Sequence, residues 1–373
     1  MAANASRKNG IQFRKVEAKC QMLAPPSFDR QEQIIEYRYD PLTSGVSIIN
    51  AGRAHRVRQA QRVKADLRQL FAGTREGCPF CPENIKEKTP SFPPEIFPEG
   101  RLSRGDCTAF PNLYPFAEYH AVATLTSEHF LNLDQFTPQM LADNLSISLD
   151  YVKQVHRCDE EAGYPLWAWN YLPPSAASIV HPHVQITVRK EPALQIKELL
   201  ERSQQYFSAF GRIYWDDLVQ EERKRGERYI AENDILTVLA SFAPQGLLEL
   251  LFVFKEIGSL GSLNEEQVSS FAASICQALR GYKAMGVGSL NLVVFSAPLS
   301  QESKYFRLNA KLISRPFPIP LYTGDTGFME RLCGEWVIEA LPEHVAEQMR
   351  ATLRSQSAYE NTTPQMDTKE VPY

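Results

Sequence analysis

The sequence contains no long hydrophobic run and no strong excess of charge. No apolar segment approaches the roughly 20 residues that a membrane-spanning helix requires. The N-terminal segment is polar and basic without an apolar core, so we expect no secretory signal. The net charge of −4 and the pI near 6.0 give no global attraction to nucleic acid or to an anionic membrane, although a local basic site remains open.

Cysteine is also scarce, and its distribution bears on the cellular compartment. The chain has seven cysteines, an odd number, and only Cys78 and Cys81 are close together. This pattern does not suit a disulfide framework and favours a reducing compartment, in which thiols stay free or bind metal. We therefore expect a cytoplasmic protein. With 373 residues, 43% hydrophobic and 23% charged, the chain is typical of a globular protein with one large domain or two ordinary ones.

The stretch Ser178–Val188 carries two of the seven histidines, one residue apart. After Pro182, hydrophobic and polar residues alternate, which predicts a strand. Residues two apart on a strand face the same side, so His181 and His183 are expected to point into one pocket. Because proline lacks a ladder donor, Pro182 predicts an edge strand or a neighbouring bulge. The alternative interpretation is an incidental pair of hydrogen-bonded histidines.

Two further segments could bind a metal or a phosphate group. Cys78 and Cys81 form a C-x-x-C pair that can present two thiolates to one tetrahedral ion. Redox use is the alternative, but no βαβ pattern of the thioredoxin type surrounds the pair. A zinc site would need two more ligands, and histidines must supply them because no second such pair exists. The basic segment Gly52–Arg58 could grip phosphate, although a solvated loop explains it equally well.

Strand-like and helical segments recur in the same order in two parts of the chain. Helical patterns near 133–157 and 262–282 correspond, as do the His-Pro-His strand and a strand near 304–316. With these strands aligned, Arg307 and Asn309 take the places of His181 and His183. We predict an α+β fold of two related halves, with mostly antiparallel sheets and helices packed on them. The predicted segments are residues 31–192 and 233–355 for the halves, 193–232 for a helical connector and 356–373 for a tail.

Several short motifs follow one another in a distinctive order over roughly residues 35–350. They are Arg38-Tyr-Asp-Pro-Leu-Thr43, Gly52-Arg-Ala-His-Arg56, the C-x-x-C pair, Phe110-Pro-Asn112, Tyr119-His120, His129, Trp169-Asn170 and His181-Pro-His-Val-Gln185. In this order they resemble the galactose-1-phosphate uridylyltransferase branch of the histidine triad superfamily. That branch also contains nucleotide-sugar and dinucleoside-polyphosphate phosphorylases. The resemblance implies two histidine-triad-like halves, of which the second lacks the catalytic histidines.

The resemblance also implies roles for individual residues. A structural zinc would be held by Cys78, Cys81, His129 and His181. His183 would attack the α-phosphorus of a nucleotide in a ping-pong reaction, and Gln185 would bind a non-bridging phosphate oxygen. A neutral imidazole suits this step because it needs no base to activate it. The other implied substrate contacts are Arg53, Arg56, Asn170 and Ser178 to phosphate, and Phe110 and Asn112 to the base and ribose.

The acceptor side departs from the family pattern in three places. Met329 stands where a uridylyltransferase glutamate binds the hexose, although Glu330 is adjacent. The second-half strand that binds iron in some members reads Phe306–Ala310 here, so we expect no iron. The loop before His181 is Ser175-Ala-Ala-Ser178 rather than glycine-rich. The acceptor is therefore less well determined than the chemistry.

The first interpretation is nucleotidyl transfer between a nucleotide sugar and a sugar phosphate, as in galactose metabolism. One alternative is a phosphorylase or hydrolase of nucleotide sugars or dinucleoside polyphosphates. A nucleotide-binding zinc protein without activity is the other, and an intact His183 argues against it. The expected partners are a nucleotide sugar and a sugar phosphate or phosphate, with no nucleic acid and no membrane. Because the family is often dimeric, a homodimer is a further expectation.

Overall fold

The computed structural model describes residues 10–55, 65–300 and 303–362, with side chains up to residue 355. Within these residues the strands are β1 Arg14–Ala24, β2 Asp29–Tyr39, β3 Val46–Ile49, β4 Leu102–Arg104, β5 Cys107–Pro111, β6 Tyr119–Thr124, β7 Tyr164–Tyr171, β8 His183–Arg189, β9 Tyr229–Glu232, β10 Leu236–Ala240, β11 Leu247–Phe254, β12 Ser289–Phe295, β13 Asn309–Arg315 and β14 Trp336–Ile338. The helices are α1 Leu67–Phe71, α2 Ile85–Lys88, α3 Pro138–Cys158, α4 Leu194–Phe210, α5 Tyr214–Arg225, α6 Glu265–Ala284 and α7 Pro342–Thr362.

The larger sheet has ten strands, and its order shows the internal repeat. The order is β4-β5-β6-β8-β7-β12-β13-β11-β10-β9, so each half contributes five strands and the two halves meet at the β7–β12 pair. Reading outwards from this seam, β7, β8 and β6 correspond to β12, β13 and β11. Every pairing in this sheet is antiparallel. The predicted α+β fold of two related halves is confirmed.

Helices cover the two faces of this sheet unequally. Along β8, the even-numbered Val184, Ile186 and Val188 are fully buried in the main core, which α3 and α6 cover. The period of two then directs His183 and Gln185 to the opposite face. In the second half that opposite face lies beneath α4 and α5, which form a separate core with strand residues such as Leu251. The candidate site lies on this face of the first half.

A second sheet of four strands, β1-β2-β3-β14, packs beside the second half. Strand β1 pairs with β2 along its whole length and is mostly exposed, and the sequence did not predict it. This sheet is held to the rest of the molecule by the buried guanidinium of Arg38, which donates to both oxygens of Glu343 at 2.8 and 3.0 Å. Glu343 also accepts from Arg228 at 2.8 Å, so one carboxylate joins β2, α7 and the segment after α5.

The observed boundaries differ from the predicted ones where local capping decides. The first long helix begins at Pro138 because the Thr137 side chain caps it by accepting from Met140 N at 3.2 Å. The predicted connector contains α4 and α5 but also strand β9, which belongs to the ten-stranded sheet. Helix α7 continues to Thr362, into the segment predicted as a tail. Among the described residues, no helix has the length and apolar character needed to cross a membrane.

Candidate active site and metal centre

Strand β8 lies in the interior of the sheet, between β6 and β7. The prediction of an edge strand or a bulge at Pro182 was wrong, because the strand begins at His183 and Pro182 precedes it. The missing N–H of Pro182 therefore falls outside the ladder, and its carbonyl oxygen accepts from Leu125 N at 2.9 Å. His181 also precedes the strand. The two histidines consequently make different polar contacts, although both rings pack against Phe80.

Four buried side chains converge on a point beneath the start of β8. The ligand atoms of Cys78, Cys81, His129 and His181 all lie within 4.8 Å of one another. Cys81 Sγ is 3.4 Å from His129 Nδ1 and 3.6 Å from His181 Nδ1. A tetrahedral zinc with bonds of about 2.3 Å to sulfur and about 2.0–2.1 Å to nitrogen would separate these atoms by roughly 3.6 Å. The cluster could therefore bind a metal ion with little rearrangement.

The far nitrogens of both cluster histidines are held by the protein. His181 Nε2 is 2.8 Å from Thr126 O, and His129 Nε2 is 2.8 Å from Thr74 Oγ1. These contacts orient both rings so that Nδ1 points to the centre of the cluster, as is usual for metal-binding histidines. Burial lowers the pKa of His181 to about 4, which keeps the ring neutral. Burial, with a smaller effect of the neighbouring Cys78, raises the pKa of the Cys81 thiol to about 12.

His183 is buried, and its tautomer is set by the chain itself. Its Nδ1 is 2.7 Å from His181 O. A carbonyl oxygen only accepts hydrogen bonds, so Nδ1 carries the proton and Nε2 carries the lone pair. Burial lowers the pKa of the ring. Among the residues described, His183 Nε2 has no hydrogen-bond partner, and the ring of Phe80 packs edge-on with a centroid distance of 5.1 Å.

Gln185 lies on the same face as His183, and His120 fixes its amide group. His120 Nε2 is 2.9 Å from Gln185 Oε1, while Phe116 N donates to His120 Nδ1 at 3.4 Å. In the tautomer set by Phe116, Nε2 carries the proton and donates to the Gln185 oxygen, so Asn112 Nδ2, 3.2 Å from this nitrogen, makes no hydrogen bond to it. Burial lowers the pKa of His120, which favours this neutral form. The NH₂ group of Gln185 is left without an acceptor in the described part of the chain.

The residues predicted to contact the base and ribose lie on β5 and just beyond it. Phe110 pairs with Val122 of β6 and is buried, with its ring 5.2 Å from that of Phe80. Asn112 extends this strand: its N–H donates to His120 O at 2.8 Å, and its Nδ2 is 3.2 Å from His120 Nε2. The structure thus places both residues beside the His120–Gln185 pair.

Asn170 and the loop before β8 lie on the other side of His183. Asn170 is half-buried and follows Trp169, which pairs with Val184, so it shares a face with His183. In the loop, Ala176 adopts a left-handed conformation with φ of 71°, which a glycine would adopt more easily. Ser178 is exposed, and no hydrogen bond of its side chain is seen within the described residues.

The predicted phosphate-binding arginines are not brought to His183 by any described contact. Arg53 is exposed in a 3₁₀ turn, Ala51–His55, and lines a cleft of about 680 Å³ together with Asp325, Phe328 and Glu330. Arg56 lies outside the described residues. The cleft is bounded by a π-helical turn, Met329–Cys333.

Several residues of the site were missed from the sequence. Phe80 packs against both His181 and His183, at centroid distances of 6.3 and 5.1 Å. Its place inside the C-x-x-C pair could have suggested this, because a metal cluster there fixes the position of the loop. Asn291 Nδ2 donates to Asn170 Oδ1 at 2.6 Å, a contact across the seam between the halves. No sequence signal pointed to it, because it depends on the register of β7 against β12.

The second half repeats the backbone arrangement without the imidazoles. Strands β8 and β13 are equally long and begin at His183 and Asn309. Asn309 Nδ2 donates to Arg307 O at 2.9 Å, just as His183 Nδ1 donates to the carbonyl two residues before it. The predicted correspondence of Asn309 with His183 is therefore supported by a shared hydrogen bond.

The fold and the buried Cys₂His₂ cluster place the chain in a structural class. An ADP-glucose phosphorylase from Arabidopsis thaliana with bound ADP-glucose superposes with a TM-score of 0.67 at 19% identity, covering 85% of this chain and 98% of that one. A uridylyltransferase structure gives 0.63 at 19% identity, covering 86% and 98%. A galT-like protein from Arabidopsis thaliana gives 0.63 at 18% identity, covering 84% and 98%. The chain thus has the same fold as these three proteins.

One relative is similar in sequence as well. An uncharacterized protein from Archaeoglobus fulgidus is 31% identical over 321 residues, covering 86% of this chain and 93% of the relative. The chain belongs to the same family as that archaeal protein. No protein-family model matches the sequence.

Proposed function

We propose that this protein is a nucleotidyltransferase that acts on nucleotide sugars through a covalent nucleotidyl-His183 intermediate. The observation that carries the proposal is the state of His183: its Nδ1–H is engaged by His181 O at 2.7 Å, while Nε2 has no hydrogen-bond partner among the described residues. This nitrogen lies on the sheet face that also carries the amides of Gln185 and Asn170. A held, neutral imidazole beside two amide donors is suited to attack on phosphorus.

The reaction would proceed in two balanced steps. The Nε2 lone pair attacks the α-phosphorus, an N–P bond forms, and the bond from that phosphorus to the bridging oxygen breaks, releasing the sugar 1-phosphate. The ring is then cationic, and the Nδ1–H bond to His181 O stabilises that charge. In the second step an acceptor oxygen attacks phosphorus, the N–P bond breaks and the neutral ring returns. Donors from Gln185 and Asn170 would offset charge on the phosphate oxygens.

One observation favours phosphorolysis over transfer to a sugar phosphate. Glu330 stands beside the position where a hexose-binding glutamate is expected, but both of its oxygens are occupied. It accepts from Gly327 N at 2.7 Å and from Val337 N at 3.0 Å, so it braces its own loop. One lone pair on each oxygen is therefore committed to the loop, which makes Glu330 a weaker candidate for binding sugar hydroxyls. Inorganic phosphate is therefore the second candidate acceptor, and the nucleotide sugars to be tested include ADP-glucose, which the similar Arabidopsis structure binds.

We further propose that the Cys₂His₂ cluster holds a structural zinc ion. The sulfur–nitrogen distances of 3.4 and 3.6 Å fit a tetrahedral ion, and four protein ligands leave no open position for substrate. When bound, the ion would supply positive charge that keeps both thiols ionised. The protein's own part is to tie the Phe80 loop to the residues before β8, which sets the position of the His183 ring.

Labelling tests the covalent step directly. The protein is incubated with UDP-, ADP- and GDP-sugars that carry a radioactive α-phosphate, and protein-bound label is measured after acid-free denaturation. We expect label from at least one sugar, release of it by a sugar phosphate or phosphate, and complete loss of labelling in His183→Gly. His344→Ala, an exposed histidine of the second half, is the control and should label normally. Absence of label with every sugar, or full labelling of His183→Gly, would remove the proposed mechanism.

Metal analysis tests the cluster independently of activity. Purified protein should contain about one zinc per chain, and His129→Ala should lose it, whereas His183→Gly should retain it. Cys107→Ser is the matched control, because Cys107 is buried but lies outside the cluster, with Sγ 3.5 Å from Leu125 O. A cluster without zinc in the wild type, or equal zinc loss in the control, would refute the zinc assignment.

A further inference from the structure

A chain of hydrogen bonds crosses the seam between the two halves and ends at Asn170. Asn291 Nδ2 donates to Asn170 Oδ1 at 2.6 Å and to Ser175 O at 3.0 Å. Asn291 Oδ1 accepts from Arg315 Nη1 at 2.7 Å. Arg315 in turn donates through Nε and Nη2 to the two oxygens of Asp325, each at 2.8 Å. Strand pairing supports this arrangement, because Asn291 lies directly opposite Asn170.

The direction of every bond in this chain follows from the chemistry of Arg315. A guanidinium group only donates, so the Asn291 atom that faces it must be the oxygen. The NH₂ group of Asn291 therefore faces Asn170 and donates to it, so the Asn170 atom that accepts must be the oxygen. The carbonyl of Ser175 imposes the same orientation, because it only accepts. The NH₂ group of Asn170 is then the part left free, and it has no acceptor among the described residues.

We propose that Asn291 and Arg315 are positioning residues that force Asn170 to present an N–H donor to the nucleotide phosphate. The inference rests on the proposed function, since it assigns the anion to the site around His183. On the opposite side of His183, His120 holds Gln185 by its oxygen in the same manner. Both amides near the nucleophile therefore present donors and no acceptor, which suits a phosphate group and disfavours a cation.

Asp325 anchors the far end of the chain. Its side chain is 13% exposed and that of Arg315 is 20% exposed, so the ion pair is partly shielded from water. Asp325 also lines the cleft of about 680 Å³ that contains Arg53. The loop that borders this cleft thus fixes the guanidinium, and through Asn291 it fixes the amide beside His183. Residues of the second half would in this way act on the site of the first.

The test exchanges one amide for a carboxylate of the same shape. In Asn291→Asp, the new side chain still accepts from Arg315 but cannot donate to Asn170. The Asn170 amide must then turn its NH₂ towards position 291 and its oxygen towards the site. We expect the affinity for the mononucleotide that binds the wild type to fall about 10- to 100-fold, the range for losing a hydrogen bond to a charged group. Affinity for the matching nucleoside should be unchanged.

Asn233→Asp is the matched control, because it makes the same chemical change at an exposed turn outside the site. Binding is measured by calorimetry with AMP, UMP and GMP and with their nucleosides, and thermal unfolding confirms that each variant is folded. In an Asn170→Ala background, Asn291→Asp should have no further effect on nucleotide binding. Arg315→Met should weaken nucleotide binding in the same selective way.

The outcomes separate the inference from the function beneath it. The inference alone would be overturned if the wild type binds mononucleotide and becomes labelled, and Asn291→Asp binds the mononucleotide equally well. Equal losses for nucleotide and nucleoside would overturn it too, because they indicate a general structural role. A wild type that binds none of the nucleotides would overturn the proposed function, and the inference with it.

Discussion

The hydrogen bond between His120 and Gln185 offers the sharpest test of how the protein orients the Gln185 amide, which would donate a hydrogen bond to the phosphate. The substitution His120→Phe keeps a ring against Phe116, whose centroid is 4.2 Å away, but removes the 2.9 Å bond to Gln185 Oε1. The amide can then rotate, and the lost bond is worth about 1 kcal/mol, with the released side-chain entropy adding a similar amount. We expect nucleotidyl-enzyme formation to slow about 30-fold, equivalent to the sum of about 2 kcal/mol.

The assay is a double-mutant cycle on single-turnover labelling. Gln185→Ala alone should slow labelling by about 10²–10³-fold, as is typical when one donor to a developing anion is removed. If His120 acts on the phosphate through its bond to Gln185, adding His120→Phe to that variant should slow labelling far less than it does in the wild type. Tyr119→Phe is the control, since it removes a 3.0 Å bond from the same strand to Asp159 and leaves Gln185 alone. Additive effects of the two substitutions would refute the positioning role of His120.

Two further predictions concern stability. Burial alone would raise the pKa of Glu343, but hydrogen bonds from Arg38 and Arg228 outweigh it and lower the pKa from 4.5 to about 2. A carboxyl group whose pKa is lowered on folding stabilises the folded state, here by about 3 kcal/mol at any pH above 4.5. This stabilisation is lost as the pH falls through about 2. In urea unfolding at pH 7, the free energy of unfolding of Glu343→Gln should therefore be about 3 kcal/mol below that of the wild type, and this difference should shrink in acid. The control Glu347→Gln, at an exposed position, should match the wild type. A difference that does not change with pH would refute the reasoning. Ala176→Gly should stabilise the protein by roughly 1 kcal/mol, because φ is 71° there, and a loss of stability would show that the alanine methyl group makes a compensating contact.

The sequence located the candidate site of the first half because its residues lie in short motifs. The C-x-x-C pair supplied two members of the cluster, and the absence of a second such pair left histidines to complete it. The structure brings Cys81 and His181 to 3.6 Å across 100 residues of sequence. Alternation along β8 correctly predicted which side chains leave the core. These features depend on residue type and on the period of a strand, both of which are visible without coordinates.

The features that the sequence could not predict depend on register and on context. Pro182 predicted an edge strand because proline has no N–H to donate to a neighbouring strand. This matters only for a proline inside a strand, and β8 begins one residue after Pro182. The Asn170–Asn291 contact requires β7 and β12 to pair in one particular register, and no local sequence pattern predicts that register. Strand β1 was missed because its side chains are mostly exposed, so burial left no alternating pattern to detect.

The second half shows why the same scaffold is expected to carry only one nucleophile. Asn309 can make the bond to the carbonyl two residues earlier, but an amide has no second ring nitrogen with a lone pair for phosphorus. Lys311, third in its strand as Gln185 is in β8, is paired at 3.3 Å with the fully buried carboxylate of Glu249. Trp215 of α5 packs on Phe306 at a centroid distance of 5.6 Å, in the core that α4 and α5 form on this face of the second half. Under the proposed function, the connector occupies the space that a second nucleotide would need, and the second half would act on the site of the first through Asn291 and Arg315.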